Sequence, residues 1–264
     1  MEWEVLAHGY GLCEAPTIDT DGTVLFSDVL GGGIYRLASD GSVSTVVPKR
    51  RGVGGVAVHA DGGIVCSGRD IVHIAPDGET RVALHVDGVA GWNDLCTNSA
   101  GDVYAGALRF AVFDPGAEEV AGELWDVGAE RIVFGDVIHA NGVACTPEGN
   151  ICLSDTRAQR VIVYENGTRR DLDMARFGHP DGMALDEDGA LWLALVGGGL
   201  GRFAPDGELD GLLDVPSTVT TSVCFDGRDL YVTTGAHREQ PELRGCVLRT
   251  TVDVAGMPVT PARV

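Results

Sequence analysis

The chain has 264 residues, 38 of them glycine, and a formal net charge of -20 at pH 7. So acidic a protein is not expected to bind nucleic acid, because phosphate recognition needs clustered lysine and arginine. No stretch approaches the roughly 20 apolar residues of a membrane helix. The first residues carry neither a basic leader nor an apolar run, so we expect no signal peptide.

The cysteines indicate a reducing compartment. There are seven of them, an odd number, and no C-x-x-C pair occurs. Most lie in strand-like segments, where a cysteine acts as a small buried apolar residue. We therefore expect free thiols, a cytoplasmic protein, and neither a cysteine-based zinc site nor a thiol nucleophile.

A repeat of about 40 residues runs through the chain. Glycines of tight turns recur at spacings of 40, 39, 48, 40 and 38 residues, at Gly22, Gly62, Gly101, Gly149, Gly189 and Gly227. Each unit has a short apolar strand, an Asp-Gly-type turn, a second apolar strand, a small loop and a third strand. Such turns between apolar segments are a strong hairpin signal.

In chain order, residues 15–41 form the first unit and residues 42–49 give it a fourth, more polar strand. Residues 55–78, 142–167 and 182–207 repeat the same order, and residues 209–215 provide another fourth strand. Four antiparallel strands in about 40 residues are typical of a propeller blade. The sequence thus predicts an all-β fold, a six-bladed β-propeller with four-stranded antiparallel blades, as one domain over 1–264. Residues 2–7 are expected to complete the outer edge of the last blade. A β-helix or a sandwich is the alternative, but neither explains the period.

Oxygen-bearing side chains recur eight residues before the turn glycines. The six positions are Glu14, Gly54, Asn93, Asn141, Asp181 and Val219. In a ring of blades they converge on the axis, and carboxylate and amide oxygens suit a hard divalent cation. Calcium is the expected ion. Zinc is less suited because no histidine or cysteine occupies these positions, while magnesium or manganese could substitute.

The loops between second and third strands are expected at the same end of the ring as these side chains. The loops of blades three and six are long, which is typical of functional loops. Arg109, Arg157 and His237 are therefore expected to contact a ligand. Trp92 either forms a wall of the pocket or fills the core, and His139 and His179 either orient the ligand loops or act directly.

Several motifs resemble the gluconolactonase, senescence marker protein (regucalcin) and luciferin-regenerating enzyme family. They are CEAPTIDTDGTVLFSD, WNDLCTNSAGDVYAG, HANGVACTPEGNICLSDTRAQRVIVY and HPDGMALDEDGALWLA, with GCVLRTTVDVAGMPVTPAR at the end. The resemblance implies one divalent metal held by Glu14, Asn141 and Asp181, with Asn93 on the substrate side. It also implies that Asp181 acts as general base, directly or through water. In place of a frequent family arginine, the chain has Gly91, which puts a sugar pocket in doubt.

The leading hypothesis is a monomeric, metal-dependent lactonase with a small-molecule lactone as substrate. The cation would polarise the carbonyl, and Asp181 or a water would supply the base or nucleophile. No G-x-S-x-G motif of a serine hydrolase occurs. A second hypothesis is a non-sugar substrate: an aromatic lactone, an organophosphate or an isomerised biosynthetic intermediate. The third is a non-enzymatic calcium-binding propeller.

Overall fold

The regular structure of the chain is entirely β. The computed structural model describes residues 2–237, 240 and 242–264, apart from the side chain of His237. These residues form 24 strands and no helix, and hence no helix that could span a membrane. The strands pair into six four-stranded sheets, each an antiparallel blade. The expected six-bladed propeller is confirmed.

The strands follow the chain from the centre of each blade outwards. After β1 (Glu4–Ala7), blade one contains β2 (Cys13–Ile18), β3 (Val24–Asp28), β4 (Gly33–Leu37) and β5 (Val43–Pro48). Blade two contains β6 (Val56–Val58), β7 (Ile64–Cys66), β8 (Ile71–Ile74) and β9 (Thr80–Leu84). Blade three contains β10 (Gly91–Thr97), β11 (Val103–Leu108), β12 (Gly122–Asp126) and β13 (Arg131–Val137).

The other three blades repeat this order. Blade four contains β14 (Ala140–Cys145), β15 (Ile151–Asp155), β16 (Arg160–Glu165) and β17 (Thr168–Asp173). Blade five contains β18 (His179–Leu185), β19 (Leu191–Val196), β20 (Gly199–Phe203) and β21 (Leu209–Leu213). Blade six contains β22 (Ser217–Asp226), β23 (Asp229–His237) and β24 (Val247–Thr251).

The amino-terminal strand completes blade six. β1 pairs antiparallel with β24, with Glu4 opposite Arg249 and Val5 opposite Leu248. Trp3 also donates its indole N–H to the Asp214 carbonyl of blade five, at 2.9 Å. The first and last strands of the chain therefore pair in one sheet, which closes the ring as the sequence predicts.

Apolar side chains fill the spaces between neighbouring blades. The buried residues form six clusters, and each cluster joins two adjacent blades. Blades two and three, for example, meet where Val65 and Ile71 pack with Trp92. Blades six and one meet at Tyr231 and Phe26. Since each blade exposes two apolar faces, only a closed array buries them all.

Polar side chains also link neighbouring innermost strands. The Ser27 hydroxyl donates to the Val53 carbonyl at 2.6 Å, which joins blade one to blade two. Three further bonds join blades three to four, four to five and six to one. They run from the side chains of Asn93, Ser154 and Thr221 to the carbonyls of Ala140, Asp181 and Cys13. Three of these four bonds are buried and the Asn93 bond is partly buried, so they help to fix the positions of the inner strands.

Candidate metal and substrate site

A cavity of about 650 Å³ opens at one end of the ring. The starts of the innermost strands contribute four polar side chains to its lining: Glu14, Asn93, Asn141 and Asp181. The loops between second and third strands contribute Val29, Phe110 and Thr156, among others, and the last residue of β19, Val196, also lines the cavity. One end of the propeller thus gathers the four side chains that share a position in the repeat.

A bulge in each contributing strand directs these side chains. The ladder between first and second strands shifts register after Glu14, between Trp92 and Leu95, after Ala140 and after Pro180. The bulges thus include Asn93, Asn141 and Asp181. A bulge bends its strand and turns a side chain away from the regular alternation. These residues can therefore face the cavity while the rest of each strand packs against the neighbouring blades.

The glycines that follow two candidate ligands allow the inner strands to approach closely. A Cβ atom on Gly142 would lie 2.2 Å from the Asp181 carbonyl oxygen, and one on Gly182 would lie 2.1 Å from the Ser222 Oγ. At Gly54, a Cβ would lie 2.1 Å from the Asn93 Oδ1. The Asn-Gly and Asp-Gly pairs therefore have a packing role here rather than a turn role. In blade one, Ala15 takes the corresponding place with a φ of 52°.

The two candidate carboxylates are buried, and no ion pair joins either of them to a described basic residue. Only 7% of Glu14 and 6% of Asp181 is exposed. Burial raises the pKa of Glu14 well above its usual value, and the charges of Asp181 and Asp94 raise it further. For Asp181 burial is again the largest cause and Asp94 the next, while bonds from Gly182 and Asn141 partly lower the pKa. Two such carboxyls disfavour ionisation unless a cation joins them.

Asp94 is a third carboxylate near the site, and the repeat count does not identify it. It occupies the bulge of β10 directly after Asn93 and accepts a hydrogen bond from its neighbour, Leu95 N, at 2.7 Å. Burial raises its pKa to about 7. In the motif WNDL, Asp94 directly follows the candidate residue Asn93. The bulge of β10 brings its carboxylate close enough to raise the pKa values of Glu14 and Asp181.

Hydrogen bonds from blade four hold Asn141 and Asp181 in place. The Ser154 hydroxyl donates to the Asp181 carbonyl at 2.7 Å. The Thr156 hydroxyl donates to the Pro180 carbonyl at 2.8 Å and accepts from the Asn141 amide at 3.2 Å. The register of the repeat did not predict this role for Ser154 or Thr156. In the sequence, only their hydroxyl groups could have indicated this positioning role, and serine and threonine are common at strand ends.

These residues fit a hard divalent cation. The Asp181 Oδ1 is buried and has no hydrogen-bond partner within the part of the chain that the structure describes, which is rare for a carboxylate oxygen unless an ion or water binds it. The donors are two carboxylates and one amide, all oxygen ligands of the kind that calcium takes. No group of three His, Cys, Asp or Glu side chains suited to a metal occurs among the described residues. An ion here would therefore depend on the Asn141 oxygen as well as on the carboxylates.

Neutral and aromatic groups surround the candidate ligands. His139 lines the cavity, and burial, followed by the charge of Arg157, lowers its pKa to about 4. His179 is exposed, and its ring nitrogen lies 3.2 Å from the Thr156 carbonyl. Trp92 is 1% exposed, contributes to the cavity wall, and belongs to the core between blades two and three. Both interpretations of Trp92 therefore apply.

The expected arginine contacts lie outside the cavity lining. Arg109 forms an ion pair with Glu123 at 3.0 Å. Arg157 pairs with Glu119 and stacks on the Phe110 ring at 4.8 Å. Both guanidinium groups are thus paired with carboxylates of the protein, and their predicted contacts with a ligand stay predictions. The side chain of His237 lies outside the described residues, so its predicted contact stays a prediction.

Two other arginines do line the cavity, and the sequence analysis did not single them out. Arg51 lies in the connection between blades one and two, and Arg69 lies in the loop between β7 and β8. Both are exposed. The β7–β8 loop has only four residues, 67–70, whereas the sequence prediction assigned ligand contacts mainly to the long loops of blades three and six.

The SMP-30/Gluconolactonase/LRE-like region matches residues 12–236. A relative from Pseudomonas putida, a 6-deoxy-6-sulfogluconolactonase, is 31% identical over 93% of this chain and 92% of its own. A pentonolactonase from Haloferax volcanii is 28% identical over 78% of this chain and 75% of its own. A solved structure of a calcium-binding regucalcin from Agrobacterium tumefaciens has a TM-score of 0.85 and 21% identity, over 98% of this chain and 97% of that one.

The family match covers most of the chain, including the three candidate metal ligands, blades one to five and most of the two inner strands of blade six. The chain belongs to the SMP-30/gluconolactonase/LRE-like family.

Proposed function

We propose that the protein hydrolyses lactones with the help of one divalent cation, calcium by preference, bound by Glu14, Asn141 and Asp181. The observation that carries the proposal is the buried, unpartnered Asp181 Oδ1 beside a second buried carboxylate in an open cavity. Two relatives with lactonase names support the reaction class. A cation held there would act as a Lewis acid on the lactone carbonyl.

The chain's own residues have separable roles in this reaction. Asp181, directly or through a water that it holds, accepts the proton of the attacking water, because it faces the cavity from a rigid strand. The Asn93 amide is fixed by its bond to the Ala140 carbonyl at 3.0 Å, so it can orient the lactone ring. Thr156 and Ser154 keep Asn141 and Asp181 in register, and Trp92 and Phe110 limit access of bulk water.

A non-sugar lactone is the second candidate substrate, and the walls of the cavity favour it. Besides the four polar side chains at the strand starts, the lining includes Leu12, Leu108, Phe110, Val112 and Phe113. Apolar walls bind an apolar ligand body better than a ring of hydroxyl groups. A comparison of sugar lactones with an aromatic lactone would decide between the two.

The test follows acid release from a panel of lactones with a pH indicator. We expect Asp181→Ala and Asp181→Asn to lower kcat by roughly 10²–10⁴-fold, which is the usual effect of losing a general base. Chelation should remove activity and calcium should restore it. Asp188→Asn, a change of the same charge at the opposite end of blade five, should match the wild type. Thermal unfolding of each variant checks the fold.

Two results would contradict the proposal. One is hydrolysis by Asp181→Ala at the wild-type rate, and the other is full activity after complete chelation. Calcium binding without turnover of any lactone would favour the non-enzymatic alternative.

A further inference from the structure

Charge is distributed unevenly within the cavity. Besides Glu14 and Asp181 at its floor, the charged lining residues in the described part of the chain are Arg51 and Arg69. Glu14 and Asp181 are buried, with 7% and 6% of each residue exposed, whereas Arg51 and Arg69 are both exposed to solvent. The arginines therefore lie in the more open part of the cavity, and the carboxylates lie in its buried part.

Neither arginine is neutralised by the protein. Within the described residues, Arg51 and Arg69 have no hydrogen-bond or ion-pair partner. Other arginines nearby do: Arg50 pairs with Asp70 at 2.9 Å, and Arg109 pairs with Glu123 at 3.0 Å. The chain has 39 acidic and only 19 basic residues, so acidic partners are plentiful. Two unpaired guanidinium groups in one cavity point to an anionic ligand.

The backbone around the two arginines is built to hold them. Arg50 donates to the carbonyls of Ser67 and Asp70, at 2.9 and 2.7 Å, and so bridges the Arg51 segment to both ends of the Arg69 loop. The aliphatic stem of Arg51 crosses Gly32, where a Cβ would lie 3.0 Å from its Cγ. The backbone segments that carry Arg51 and Arg69 are therefore held together by the hydrogen bonds of Arg50.

The loop of Arg69 is also fixed to the start of β10. Trp92 N donates to the Gly68 carbonyl at 2.7 Å, and Gly68 N donates back to Trp92 at 3.3 Å. This antiparallel bridge places Arg69 opposite Gly91. A Cβ at Gly91 would meet only the Gly68 oxygen, at 3.7 Å, so there is room for a ligand group beside the guanidinium.

We propose that Arg51 and Arg69 form an anion subsite, which selects lactones that carry a phosphate, sulfonate or carboxylate remote from the ring carbonyl. This inference rests on the proposed lactonase activity. The anionic substituent would lie between the two guanidinium groups at the mouth. The lactone carbonyl would then reach the carboxylates at the floor.

The experiment compares glucono-1,5-lactone with its 6-phosphate and 6-sulfonate derivatives. We expect the charged lactones to have the higher kcat/KM in the wild type, chiefly through a lower KM. Arg51→Gln and Arg69→Gln should each reduce this preference roughly tenfold, and the double variant roughly 100-fold, as expected for lost charge-assisted hydrogen bonds. Arg228→Gln, an exposed arginine at the opposite end of the ring, is the matched control and should behave as the wild type.

An unchanged ratio of charged to neutral lactone in the double variant would overturn the subsite. If no lactone is hydrolysed, the proposed function fails, and calorimetry with the open-chain acid 6-phosphogluconate decides the subsite separately. Binding by the wild type and its loss in the double variant would support the subsite, whereas equal binding or none by both would refute it.

Discussion

The Asp94 carboxyl makes the stability of the metal-free protein depend on pH. Burial raises its pKa from the usual 3.8 to about 7. The unfolded chain therefore releases this proton at lower pH than the folded protein does. The free energy of unfolding therefore falls as pH rises from about 4 to about 7, and the contribution of Asp94 to this fall is complete above its folded pKa.

The rise in the pKa of Asp94 corresponds to about 4 kcal/mol of unfolding free energy above pH 7. Since the side chain keeps some contact with solvent, we expect about 2 kcal/mol in practice. Asp94→Asn removes the charge and keeps an oxygen that can accept from Leu95 N, 2.7 Å away in the wild type. The metal-free variant should therefore be more stable than the wild type by about 2 kcal/mol at pH 8, and by less than half of that at pH 5.

Urea unfolding in chelator, followed by tryptophan fluorescence between pH 5 and pH 8, measures this difference. Asp188→Asn is the control, because its carboxylate is exposed and lies at the opposite end of the ring. An Asp94→Asn variant no more stable than the wild type at pH 8 would show that the buried carboxylate does not destabilise the fold. A stability difference that stays constant across the pH range would contradict the prediction as well.

Three other predictions concern packing and positioning. Gly182→Ala places a Cβ 2.1 Å from the Ser222 Oγ and should lower the free energy of unfolding by about 2 kcal/mol. Gly211→Ala has open space around its Cβ and should leave the free energy of unfolding unchanged. Urea unfolding of both variants measures the difference. Ser154→Ala leaves the Asp181 carbonyl without its donor and should cost about 1–2 kcal/mol, with weaker calcium binding by calorimetry; equal binding would contradict its positioning role. Deletion of residues 2–7 removes β1 from blade six and should lower the Tm, and an unchanged Tm would show that ring closure does not need this strand.

The repeat predicted much of the fold because turns and packing use the same residues in each blade. The turn glycines adopt positive φ, and Gly22 and Gly62 donate to the carbonyls three residues earlier. Their spacing therefore counts blades directly. The site positions follow from the same register, which is why Glu14, Asn141 and Asp181 meet in one cavity.

The sequence could not show which charges are already paired. Arg109 and Arg157 lie in the expected loops, but Glu123 and Glu119 bind them, and those pairs depend on how the long loop of blade three folds. Arg51 and Arg69 occupy unremarkable sequence contexts, and only the three-dimensional arrangement shows that they face the cavity unpaired. The charge of Asp94 likewise reaches the site because of a bulge, which periodicity does not specify.

Calorimetric titration of calcium into chelator-treated protein tests the central claim most directly. The wild type should bind one ion, and Glu14→Gln, Asn141→Ala and Asp181→Asn should each weaken binding by roughly tenfold or more, since each removes an oxygen ligand or its charge. Asp188→Asn should bind as the wild type does. Equal calcium binding by the wild type and all three site variants would contradict the account.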